Sequence, residues 1–129
     1  MKRKVLLVIL FLMLGMFLSG CCLSEKLLAD VAIEDWEQNY DDYSGEWDHF
    51  VKVQFKICNT GAIEISHYIV WFTAYCEDGS TYEHWTNGIY IYVGDCNSGT
   101  CYINVGPNKE VISVRATDQK LEYWEYPNQ

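Results

Sequence analysis

Six cysteines, three histidines and a dense acidic segment are the residues of this chain whose chemistry could be put to work. His49, His67 and His84 lie far apart, without the i, i+4 spacing that brings two imidazoles onto one metal, so they read as ordinary strand or loop residues. No Gly-x-Ser-x-Gly, His-Glu-x-x-His, Cys-x-x-Cys or P-loop pattern occurs, and no catalytic activity is expected. The stretch EDWEQNYDDYSGEWD offers Asp41, Asp42, Glu46 and Asp48 as candidate oxygen ligands for Ca2+. Tyr43 intrudes, however, and Gly45 is out of phase with an EF-hand loop, which wants ligands at alternate positions before its glycine. A solvated charged loop is the better reading, and no cofactor is expected.

The cysteines need the elements around them. Met1-Lys2-Arg3-Lys4 is a basic start, and Val5 to Leu18 is apolar throughout apart from Gly15. That order is a secretory signal pattern. Fourteen residues reach only about 21 Å as a helix, short of the roughly 30 Å hydrocarbon core, so a permanent span is disfavoured. Leu18-Ser19-Gly20-Cys21 resembles the lipobox of prokaryotic lipoproteins. That resemblance implies cleavage before Cys21 and diacylation of its thiol, and two chains give the stable anchor that one does not. It divides the chain into a signal peptide (1–20), a lipidated N-terminus and tether (21–30), and a domain over 31–129. It also places that domain outside the cytoplasm, on the cell membrane.

Loss of the leader takes three of the nine basic residues and leaves six against 18 acids, moving the net charge from −9 to −12. Such a polyanion argues against nucleic acid and anionic headgroups as partners. Half of the 18 acids fall between Ser24 and Asp48, and two readings fit the middle of that segment: a short helix through Leu27, Leu28 and Val31, or a first edge strand through Val31 and Ile33.

Strands follow. VKVQFKI alternates Val51, Val53, Phe55 and Ile57 with Lys52, Gln54 and Lys56, the pattern of a half-buried antiparallel strand. ISHYIVWFTAY, residues 65–75, is apolar on both alternations and suits a sheet centre with both faces partly covered. Shorter strands are expected at 81–86, 89–93, 100–105, 111–117 and 121–126, with glycines in turn-like settings such as Asp78-Gly79, Asn87-Gly88, Gly94-Asp95 and Ser98-Gly99. About seven strands at this spacing predict an all-β, antiparallel two-sheet sandwich of immunoglobulin-like kind. VQFKICNTGAIEISHYIVWFTAYCEDGS also resembles the FxLYD-type Ig-like domains of bacterial and archaeal surface lipoproteins, with Ala74 and Cys76 in place of the motif's Leu and Asp. The resemblance implies the same fold and brings no catalytic residue with it.

With Cys21 acylated, five thiols remain in an oxidising space, an odd number. Cys58 and Cys76 end successive antiparallel strands and should lie roughly 30 Å apart, far beyond the about 7 Å that a disulfide tolerates. Cys96 and Cys101 close a tight turn and are the favoured pair. Parity opposes them, because the apolar sets Ile89, Ile91, Val93 and Cys101, Ile103, Val105 are all odd. If Asn87-Gly88 is a hairpin, Cys58 is left alone. If 81–93 is one bent strand, Cys96 and Cys101 arrive beside Cys58 and could bond it.

Five Trp, ten Tyr and five Phe make the chain rich in aromatics. Tyr90, Tyr92 and Tyr102 alternate with Ile89, Ile91 and Ile103, and form a candidate ligand face if the isoleucines point inward. The same rings also suit ordinary cross-strand pairs. The sequence thus points to a non-catalytic, lipid-anchored binding or scaffolding module for an envelope protein or polysaccharide. A Ca2+- or carbohydrate-binding accessory protein is the alternative.

Overall fold

The structure, a computed structural model, describes residues 26–125. The signal pattern, Cys21 and Cys22 lie outside the described residues. Among the described residues eight strands run in order: β1 (Ala29–Glu37), β2 (Tyr40–Asp41), β3 (Glu46–Trp47), β4 (Phe50–Asn59), β5 (Ile65–Cys76), β6 (Thr81–Ile91), β7 (Cys96–Asn104) and β8 (Val111–Glu122). They form two three-stranded antiparallel sheets, β1-β4-β7 and β6-β5-β8, and a small β2-β3 hairpin. Lettered in the immunoglobulin manner, β1, β4 and β7 stand where A, B and E stand, and β6, β5 and β8 where C′, C and F stand. The fold is thus the expected all-β sandwich.

Period-two alternation builds the core. Val51, Val53, Phe55 and Ile57 of β4 face Tyr68, Val70, Phe72 and Ala74 of β5 across the sandwich, all of them buried, and the Phe55 and Phe72 rings meet at 4.9 Å. Ile65, Ile91, Ile103, Val105, Val111 and Val114 complete it. Buried Asn59 fastens one end: its amide nitrogen donates to the carbonyls of Ile63 (2.9 Å) and Ile91 (2.8 Å), and its oxygen accepts from the Gly61 backbone N–H (2.9 Å). No polar atom of that side chain is left unpaired, which is why an amide is tolerated at this depth.

Several sequence expectations change here. Segment 29–37 is an edge strand, and it takes in Ala29 and Asp30, which the sequence reading assigns to the tether. Asn87-Gly88 is not a turn: 81–91 is one strand, with Asn87 opposite Ile69 and Gly88 opposite Tyr68. Gly99 likewise lies within β7, opposite Phe55. The expected strands 111–117 and 121–126 are one strand, β8, whose register against β5 shifts between Trp71 and Phe72 so that Thr117 is the extra residue.

The disulfide expectation is corrected as well. Cys96 is bonded to Cys58, not to Cys101. Because β6 is continuous, the Gly94-Asp95 turn delivers Cys96 as the first residue of β7, directly opposite the next-to-last residue of β4, with Cα atoms 4.0 Å apart. Cys101 is opposite Val53 and points into the core, so parity separates it from Cys96. Cys76 and Cys101 are buried free thiols.

Candidate functional site

The outer face of β6-β5-β8 is built from the residues that alternate with the core. On β5 these are His67, Ile69, Trp71, Thr73 and Tyr75, all half-buried. Register sets Ile89 and Glu122 beside His67, Asn87 and Lys120 beside Ile69, and Trp85 and Asp118 beside Trp71. Glu83 and Arg115 then flank Thr73. The result is an aromatic and aliphatic band along the central strand, edged by charges on β8. Trp85 and Ile89 are 48% and 52% exposed, and among the described residues no element packs over the band. The doubly apolar pattern of 65–75 is therefore explained by a core face and a solvent-facing apolar face.

Short polar contacts hold the band's ends. The Trp124 ring stacks on His67 at 5.7 Å and 14°, and its indole N–H donates to Glu122 Oε2 (3.2 Å). That N–H foremost, then Lys120 at 3.3 Å, holds the Glu122 carboxyl below the usual carboxylate range. At the other end the Thr73 and Thr117 hydroxyls meet at 3.0 Å, and the Arg115 guanidinium lies 5.7 Å over the Tyr75 ring. Rigid, amphipathic rings on a backbone already locked by a sheet present contact area at little entropic cost.

The three tyrosines singled out by sequence do not make one patch. Tyr102 is opposite Lys52 on the outer face of the other sheet. Tyr92 belongs to the turn before Cys96, in which Asp95 N–H donates to the Tyr92 carbonyl (2.9 Å). Six residues of strand, about 20 Å, separate Tyr102 from that turn. Tyr90 has φ +53°, which breaks the alternation so that Ile89 faces solvent while Ile91 is fully buried. No pattern of residue types announces that kink. The more continuous face, carrying Trp71 and Trp85, was legible only as the second apolar alternation of a sheet-centre strand, expected to be partly covered.

Of the acidic candidates, Asp41, Glu46 and Asp48 line one shallow cleft at the β2-β3 hairpin with Tyr40 and Trp47. Asp41 accepts from the Tyr43 backbone N–H (2.9 Å) to close the β2-β3 turn, a bond that holds its carboxyl below the usual range. Among the described residues no three His, Cys, Asp or Glu side chains are grouped so as to hold a metal, and Asp42, Glu46 and Asp48 form no ligand set with Asp41. A cleft of about 400 Å³ lies beside this hairpin, lined by Trp47, Glu77, Asp78, Asn108, Lys109 and Glu110. Its charges answer one another. Lys109 bonds Asp78 and holds that carboxyl well below its ordinary value, while a hydrogen bond with Glu77, aided by burial and repulsion, pushes Glu110 up. Gln38 ties the neighbouring segments together, donating to the Asp48 and Lys109 carbonyls and accepting from Val111 N–H.

The fold and this face define an antiparallel β-sandwich with immunoglobulin-like strand order and one apolar outer sheet face. No family model matches the chain, and no curated protein matches it. Solved structures similar to it include a DUF1425 family member from Shewanella, at 13% identity over 77% of this chain and 81% of that one, with a TM-score of 0.39. A Bordetella pertussis chain designated ApaA is similar at 11% identity over 71% and 94%, with a TM-score of 0.43. The structural genomics target SoR45 is similar at 13% identity over 83% and 100%, with a TM-score of 0.42. Likenesses this distant add nothing to what the strands themselves establish.

Proposed function

We propose that this chain is a lipid-anchored, extracytoplasmic, non-catalytic module that binds or scaffolds another component of a prokaryotic cell envelope through the outer face of β6-β5-β8. The observation that carries it is the band of Ile69, Trp71, Tyr75, Trp85 and Ile89 on a sheet whose other face already supplies the core. Contiguous exposed apolar patches rimmed by polar residues mark interaction sites. The anchor is supported by Leu18-Ser19-Gly20-Cys21 behind a basic and apolar leader, and an oxidising location by the Cys58–Cys96 bond. The ligand is an envelope protein or polysaccharide, and the acidic character of the chain disfavours nucleic acid.

Two experiments test this reading. Cys21→Ser should move the processed protein from the membrane to the soluble fraction; retention in membranes would remove the anchor. A photo-crosslinking residue in place of Trp85 should capture a partner in membranes, while the same residue at Lys56 on the opposite sheet should not. Equal capture at both positions, or none at either, would reject this face.

A further inference from the structure

We infer that the occupant of the β6-β5-β8 face is a second copy of this chain, packed face to face about a two-fold axis parallel to β5. The inference rests on the face being a binding surface and names what binds there. Its first support is charge. The face carries three acids, Glu83, Asp118 and Glu122, against two bases, Arg115 and Lys120, and is close to neutral; almost all of the chain's excess of acids lies elsewhere. Two copies therefore repel through their other surfaces and least through this one.

The second support is the placement of the charges. Glu83 on β6 and Arg115 on β8 flank Thr73 from opposite sides, and among the described residues neither makes an ion pair. A two-fold axis along β5 lays β5 on β5 and β6 on the β8 of the other copy. Glu83 of each copy then meets Arg115 of the other, one row from the Trp71 at the centre. An axis across the strands would instead set Lys120 against Arg115, a like-charge contact. Only the first arrangement is electrostatically complementary, and isologous packing of this kind closes at two copies. Aligned sheet packing tolerates the roughly 30° that sheet twist imposes.

The size of the face sets the strength. Three strands about 4.8 Å apart and ten residues at about 3.3 Å give about 480 Å² of flat area before side-chain relief, below the about 800 Å² per partner of a standard interface. The dimer is accordingly weak and reversible in solution, and confinement of two anchored copies to one membrane surface raises their effective concentration.

Sedimentation of the full chain, extracted from membranes in non-ionic detergent, should show a monomer–dimer equilibrium. Glu83→Arg or Arg115→Glu alone should weaken it about tenfold or more, and the two together should restore it to within about threefold, the signature of a directly paired couple. Both side chains are on the surface, so folding is not at issue. A monomer at every concentration, insensitivity to the single changes, or failure of the double change to restore association would overturn the inference. The Trp85 crosslink separates this from the broader reading. A product of twice the chain mass supports the dimer; a product of another mass overturns the dimer and leaves the binding face intact; no product removes both.

Discussion

Gly99 lies beneath the ring of Phe55: a Cβ added to the glycine would sit 2.5 Å from Cζ of that ring, and the two residues are register partners across β4 and β7. Gly88 stands in the same relation to Tyr68 across β6 and β5, at 2.2 Å from the hydroxyl. In each case an aromatic side chain covers a strand glycine, filling space that a side chain there would need.

Substitution of either glycine should therefore act by overpacking. Gly99→Ala and Gly88→Ala are each expected to cost about 1–3 kcal/mol, read as a lowered denaturation midpoint, while Ser98→Ala on the outer face should stay within about 0.5 kcal/mol. A neutral Gly99→Ala would show that Phe55 does not rest on β7.

The Cys58–Cys96 bond spans a sequence separation of 38. On chain-entropy grounds its loss, in Cys58→Ser/Cys96→Ser, should reduce stability by about 3–4 kcal/mol. Peptide mapping of the oxidised protein should recover Cys58 joined to Cys96. A Cys96-to-Cys101 linkage would mean that β7 pairs with β4 in another register.

Burial pushes the Cys101 thiol up to about 11. At pH 8 about one molecule in a thousand would carry its thiolate, the nucleophilic form. The folded protein should leave Cys101 unlabelled by iodoacetamide over hours, and denaturant should expose it at once. Rapid native labelling would contradict its place opposite Val53.

Two carboxyl groups beside Trp47, Asp78 and Glu110, should respond oppositely to pH. Asp78 is held below its ordinary 3.8 by Lys109, so its contribution to stability is present above that value and is lost as pH falls below it. Asp78→Asn should thus lower the melting temperature at pH 6, and the difference from wild type should begin to close only below about pH 3.8 and still be substantial at pH 3. Glu110, raised above its ordinary 4.5 foremost by its hydrogen bond to Glu77, favours the folded state when protonated. Glu110→Gln should raise the melting temperature at pH 7, and that advantage should shrink as pH drops through the carboxylate range. The same pH response in both variants would show that these groups are not paired as described.

Which parts of the molecule could be read beforehand follows from the range over which each is decided. The core face of β4 and the doubly apolar β5 are local alternation patterns, set by whether adjacent side chains can leave water, and both were legible. The expected break at Asn87-Gly88 was not real, because the residue pair that suits a tight hairpin turn also suits a strand in which Tyr68 covers the glycine. Read as a turn, the pair split β6 in two, left Cys58 alone and misplaced the aromatic face; the one-strand alternative brought Cys96 beside Cys58, and only the register of β6 on β5 decides between them. A single residue, Tyr90 with its positive φ, then reversed the inside and outside of Ile89 and Ile91.

By itself, then, the sequence determined the all-β class, the strands at the centre of each sheet, the acidity and the anchoring expectation at Cys21, since each depends on composition or on neighbours a few residues apart. Tertiary structure alone decided that Cys58 meets Cys96, that Trp71 and Trp85 share a solvent-facing sheet, and that Tyr102 stands apart from Tyr90 and Tyr92. Those are relations between strands distant along the chain. Register and layer order set them, and no local period encodes either.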